Sequence, residues 1–175
     1  MTTTSRFIGH NGDFDFLLGH WHIHNRRLQR RHAGCTTWDE FPATLQAWVM
    51  LDGAVSVDEA RFPTQGFAGM TLRTLDQAAK RWSIYWINSA SGQLFPPVHG
   101  GFDGERGEFY GEDSDDGRAV RVRFIWTRLG PDAARWEQAF ALEGGAWEDN
   151  WVMELRRAQE SPAARSASSQ SRLGT

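Results

Sequence analysis

His20, His22 and His24 alternate along one short run, so on a strand they would share a face. Alternate residues lie about 6.8 Å apart, a spacing from which two imidazoles can hold one metal ion. A third ligand would have to come from Glu40, Glu59 or His99. Trp21 sits between these histidines, and it is the residue with most to gain from burial. Turning Trp21 inward sends all three histidines out to solvent, so no metal site is expected. The same parity points Ile23, Asn25 and Arg27 inward. A buried arginine needs either a carboxylate or a ligand anion. Glu40, Asp58, Glu59 and Glu137 are the candidate carboxylates. One reading is an ion pair that fixes register at the end of a fold. The other is catalytic: Arg27 grips a carboxylate or enolate while Glu40 carries a proton.

Nine tryptophans are spread over the 175 residues, at 21, 38, 48, 82, 86, 126, 136, 147 and 151. Each indole offers a large apolar area and one N–H that needs a partner. That suits a thick β-core, and equally the wall of a half-polar cavity. Several tryptophans sit beside an isolated polar side chain, as in Trp86 with Asn88, Trp136 with Gln138, and Trp151 with Asn150. The candidate ligand-binding set is therefore Asn25, Trp38, Tyr85, Trp86, Asn88, Arg123, Trp126, Trp136, Gln138, Asn150 and Trp151. Arg123 is ambiguous. If Val122, Phe124 and Trp126 face inward it lies on the surface, and if they face outward it lines the interior.

Other chemistries lack their residues. No nucleophile elbow, phosphate-cradling glycine loop or dinucleotide fingerprint is present. Cys35 is the single cysteine, which excludes an internal disulfide and a thiolate zinc site. The net charge of -3 argues against nucleic acid, although Arg26, Arg27, Arg30, Arg31 and His32 cluster. The polar start and the lack of any long apolar run predict a cytoplasmic protein without membrane contact.

The elements that position these residues follow from the turns. Asp52-Gly53, 76–80, Ser91-Gly92, Asp103-Gly104, Asp116-Gly117, Gly130-Pro131-Asp132 and Gly144-Gly145 punctuate runs that alternate with period two. Eight to ten strands joined by tight turns make an antiparallel meander. Closing it removes the sticky edges, so an all-β, up-and-down barrel is expected over residues 12–157. Asp13–Leu18 reads as a single helical turn with Asp13 as its cap. Residues 1–11 are expected to be a disordered N-terminus, and 158–175 a disordered polar tail too poor in apolar residues to fold. The stretch 90–104 reads as the longest irregular connection, either a lid over one barrel end or a plain flexible loop.

The opening Asp13-Phe-Asp-Phe-Leu-Leu-Gly-His-Trp21 resembles the start of calycin-type barrels, where a helical turn precedes a Gly-x-Trp that plugs the floor. The segments 81–86, 107–110, 122–126, 135–140 and 147–154 are similar to an uncharacterised bacterial calycin-like family, distantly related to lipocalins and haem-binding nitrobindins. The resemblance implies a calycin/lipocalin-like barrel and no particular activity. The nitrobindin axial histidine lies late in the chain, whereas His99 is the last histidine here, so no haem or other cofactor is expected. Three functions remain open. They are a small-molecule binder for an apolar or aromatic ligand with a polar group, a metal-independent isomerase, cyclase or hydratase using a Glu/Arg pair, and a homodimer built on outward aromatics.

Overall fold

In the computed structural model, which describes residues 6–159, the turns separate ten strands. They are β1 (Gly19–Leu28), β2 (Trp38–Met50), β3 (Val55–Phe62), β4 (Phe67–Asp76) and β5 (Arg81–Asn88), then β6 (Val98–Asp103), β7 (Arg106–Asp115), β8 (Arg118–Gly130), β9 (Ala133–Ala141) and β10 (Glu148–Arg157). Every neighbour in sequence is an antiparallel neighbour in space, and β1 pairs with β10 to close the barrel. No sheet edge is left along the main ring.

Alternation assigns the two faces. On β1, Trp21, Ile23 and Asn25 are buried while His20, His22 and His24 are exposed. On β8, Val120, Val122 and Trp126 are buried and face inward, which resolves Arg123 to the outside. The loops at 29–37, 63–66, 89–97, 116–117 and 142–147 gather at one end, and the tight turns at the other follow from the meander.

The lower end is shut by the N-terminal segment. A single 3-10 turn, Asp15–Leu17, lies beneath the barrel, with Leu17 and Phe14 fully buried. The Phe14 ring meets Trp82 at 5.0 Å and Phe102 at 5.2 Å, both edge-on, an arrangement aromatic quadrupoles favour. The Trp21 indole N–H donates to the Leu17 carbonyl at 2.8 Å, so the floor tryptophan and the turn fix each other. Arg157 completes the clamp. Its guanidinium lies 4.3 Å from the Trp21 ring and donates to the carbonyls of Phe16 and Leu18.

Three local expectations need correction. Asp13 does not cap the turn, because its carboxylate is taken by the His10 N–H at 2.7 Å and the Trp82 indole at 2.9 Å. Order begins before residue 12: Ile8 bridges Phe102, and Gly9 donates to the Lys80 carbonyl at 2.7 Å. Gly101 permits that approach, since a Cβ there would stand 2.2 Å from the Ile8 carbonyl carbon. Residues 98–103 pair with β5 and β7 and are strand rather than lid, leaving 89–97 as the irregular connection. The expected tail lies, from residue 160 onward, outside the described residues.

Candidate functional site

Above the aromatic floor the barrel is hollow. A cavity of about 480 Å³ runs up its axis and reaches the end that carries the long loops. Trp86, Trp126, Trp136 and Trp151 line it, together with Phe67, Phe95, Phe124 and Phe140. Trp136 and Trp151 meet edge-to-face at 5.8 Å, and Phe124 packs on Trp136 at 4.9 Å, so this wall is a continuous aromatic surface. Trp86 is seated by a missing side chain. A Cβ on Gly69 would fall 1.8 Å from the Trp86 ring, so only glycine lets that indole lie against β4.

Polar groups occur at two depths. Deep inside, Arg73 and Asp58 form an ion pair at 2.5 Å, and their side chains are only 2% and 1% exposed. Arg73 also donates to Ser56 Oγ at 3.3 Å, and it lies 4.9 Å from the Phe14 ring and 5.7 Å from that of Trp126. Its Nε has no partner among the described residues. At the mouth, Arg31 makes a two-pronged bond to Asp115, at 2.8 and 2.5 Å, tying the 29–37 loop to the end of β7. That contact holds the Asp115 carboxyl below its ordinary value and raises Arg31. The Glu148 carboxylate accepts the His32 backbone N–H at 2.8 Å and fastens the same loop to β10.

Arg27, next to last on β1 beside the 29–37 loop, is half-buried at the mouth, with its guanidinium 4.7 Å from the Trp151 ring. Burial pulls it below its ordinary value and neighbouring Arg31 adds to this, while Asp115 and Asp39 oppose it.

The expected site residues divide by face. Arg27, Trp86, Asn88, Trp126, Trp136, Gln138 and Trp151 line the cavity. Asn25 is inward but fully occupied, donating to the Phe41 carbonyl and accepting the Trp151 indole N–H at 3.0 Å. Asn150 occupies a β-bulge where the β10–β9 register slips between Asp149 and Trp151. The bulge turns it inward, so both Asn150 and Trp151 are buried. Asn150 Oδ1 accepts from Gln138 at 2.7 Å, and its buried Nδ2 has no partner among the described residues.

Four residues stand elsewhere. Glu40 is on the outer face, 3.2 Å from His24, because Phe41, Ala43, Leu45 and Ala47 claim the inner face of β2. The Glu40–Arg27 pair is therefore not assembled. Trp38 lies outside beneath Arg26 at 5.3 Å, and Arg123 binds Asp149 outside at 3.0 Å. Tyr85 is outward too, since Ile84, Trp86 and Asn88 line the cavity from β5. None of the four candidate carboxylates pairs with Arg27: Asp58 binds Arg73, Glu59 binds Arg61, Glu137 binds Arg135, and Glu40 meets His24. The interior role of Arg73 was not read from the sequence. The signal was Asp58 and Arg73 recurring in phase with Ala60 and Thr71, but Val55 and Val57 mark the opposite face as the apolar one.

The outer face carries its own apolar rows. Trp48, Val57, Leu72 and Tyr85 are cross-strand neighbours in succession, and Met70 and Ile87 form a second row. Trp48 and Met70 are openly exposed there.

Fold and cavity together define a closed ten-stranded antiparallel barrel with an aromatic interior open at one end. No family model matches the chain. Among solved structures, a redesigned beta barrel is similar at 8% identity with a TM-score of 0.48, over 86% of this chain and 99% of that one. Among curated proteins, ribosomal RNA small subunit methyltransferase H of Albidiferax ferrireducens is 35% identical over 68 residues, which is 39% of this chain. The chain spans 22% of that protein's length. Among the described residues, no helix is long and apolar enough to cross a membrane.

Proposed function

We propose that this barrel binds a small molecule with an apolar or aromatic body and at least one polar group, in the manner of calycin-like carriers. The observation that carries the reading is the one-ended cavity of about 480 Å³ walled by Trp86, Trp126, Trp136 and Trp151. That volume lies in the range of small-molecule sites, which are largely apolar with a few placed polar groups. N-phenyl-1-naphthylamine, a neutral dye that fluoresces in apolar surroundings, tests it. The dye should bind once per chain, with energy transfer from tryptophan. Ala60→Phe, which places a ring inside the cavity, should weaken it about tenfold or more. Binding that ignores Ala60→Phe would put the dye elsewhere and refute the reading.

A catalytic reading is supported by one feature, the carboxylate–guanidinium pair inside the cavity. It would use Asp58 to carry the proton and Arg73 to hold developing negative charge, in place of Glu40 and Arg27. Turnover of a bound ligand that is lost in Asp58→Asn, with binding retained, would establish it. For the outer face, the fitting partner is a second copy of this chain. What supports that partner is the exposed apolar rows around Trp48 and Met70, beside which the Glu59–Arg61 pair lies. A concentration-independent monomer mass by light scattering would refute that partner.

A further inference from the structure

The charges that line the cavity do not all cancel within the protein. Three arginines and three aspartates face it: Arg27, Arg31 and Arg73 against Asp58, Asp113 and Asp115. Arg73 is spent on Asp58, and Arg31 is spent on Asp115 through both of its prongs. Arg27 and Asp113 remain. They sit on β1 and β7, separated around the ring by β10, β9 and β8, and no ion pair joins them among the described residues.

The two leftovers differ in how they are held. Asp113 already accepts the Ser114 backbone N–H at 2.7 Å, a local bond that partly satisfies it. Arg27 stacks on the face of Trp151 and has no ion-pair partner among the described residues; Asp115 and its cross-strand neighbour Asp39 act on it only through their fields, which offset part of the effect of burial. Stacking on an indole orients the planar guanidinium and leaves its N–H edge free, the geometry in which arginine grips a carboxylate with two parallel bonds. Its partial desolvation, which lowers its pKa, is an unfavourable state for a cation until an anion arrives.

We infer that the ligand is an acid: an apolar or aromatic body inside the barrel, carrying one carboxylate that Arg27 takes at the mouth above Trp151. The inference rests on the small-molecule reading of the cavity and narrows it to a ligand class. The body meets Trp86, Trp126 and Trp136, while the carboxylate stays near the opening and sheds only part of its hydration. The Arg73–Asp58 pair, already balanced, adds no net charge to the interior.

The test is displacement of N-phenyl-1-naphthylamine from the full chain by three ligands of one shape: 2-naphthoate, 2-naphthamide and 2-naphthylmethylammonium. The carboxylate should bind about tenfold tighter than the amide, and the ammonium weakest. Arg27→Gln should bring the carboxylate-to-amide ratio close to one. Arg27→Lys, which keeps the charge and loses the fork, should give an intermediate ratio. Arg121→Gln, on the outer face 4.9 Å from Trp147, should leave the ratio as it is. If the ammonium binds best, Asp113 is the reader and the inference is overturned. It is overturned equally if the carboxylate gains nothing over the amide, or if Arg27→Gln leaves its advantage intact. Failure of the neutral dye itself to bind would instead bring down the cavity reading. Should Arg27→Gln not fold, the order of the three ligands on the wild type and Arg27→Lys still decides.

Discussion

Removing the Asp58 carboxylate should be the most damaging single change inside the barrel, and removing both partners should be milder. In Asp58→Asn the Arg73 guanidinium stays where it is, 2% exposed, with Ser56 Oγ as its remaining hydrogen-bond partner. The attraction lost is about 4 kcal/mol at an effective permittivity of about 20. The amide oxygen introduced by the substitution restores part of one hydrogen bond, and the Phe14 and Trp126 faces recover a little through cation–π contact. Arg73 Nε already lacks a partner, so no spare bond compensates. A net loss of about 3 kcal/mol follows, within the usual range for a buried charge stripped of its counter-ion. In a chain of this size that lowers Tm by about 6–12 °C. The double variant Asp58→Asn/Arg73→Met removes the stranded charge, and its loss should be smaller than that of Asp58→Asn alone. Urea unfolding followed by tryptophan fluorescence measures all four corners of the cycle. A single-variant loss under about 1 kcal/mol, or strictly additive effects, would show that the pair is neither buried nor coupled.

Gly69→Ala should push the Trp86 ring off β4, costing about 1–3 kcal/mol by overpacking and weakening dye binding, as urea melts and titration would show. Unchanged stability would mean that the indole does not lie there. Trp151→Phe should cost about 1–3 kcal/mol in the same melts, because the buried Asn25 Oδ1 loses its indole donor. A neutral outcome would place Asn25 within reach of water. Asp115 should make stability pH-dependent in acid: its folded value is depressed by Arg31, so its contribution is complete above the ordinary carboxylate value of about 3.9. That contribution is lost as pH falls through the lower, folded value. The stability gap between wild type and Asp115→Asn should be flat from about pH 7 to 5 and shrink below about 4. A gap that persists undiminished to about pH 2 would contradict the Arg31–Asp115 latch.

Barrel closure was legible because each turn announces itself and the runs between them alternate. The face of each tryptophan was less legible: on β8 the pattern left open whether Trp126 or Arg123 turns inward, on β5 both Tyr85 and Trp86 were candidates, and on β10 a bulge breaks the alternation at Asn150 and Trp151. Parity failed on β2, where Trp38 reads as an inner residue although the small and apolar residues 41, 43, 45 and 47 take that face. It failed also on β3, since Val55 and Val57 are apolar but outward, while Ser56 and Asp58 are inward. A barrel with a polar pair inside and an apolar patch outside inverts the usual rule, and no single strand reveals the inversion. Register supplies what periodicity lacks: Asp58 and Arg73 meet because Val57 pairs with Leu72, a relation between strands rather than within one.

A crystal structure of the protein grown with 2-naphthoate tests the central claim most directly. Electron density for the naphthalene should lie inside the ring of Trp86, Trp126, Trp136 and Trp151, with the carboxylate within hydrogen-bond reach of Arg27. Density confined to the outer rows around Trp48 and Met70, or an interior closed by its own side chains, would contradict it.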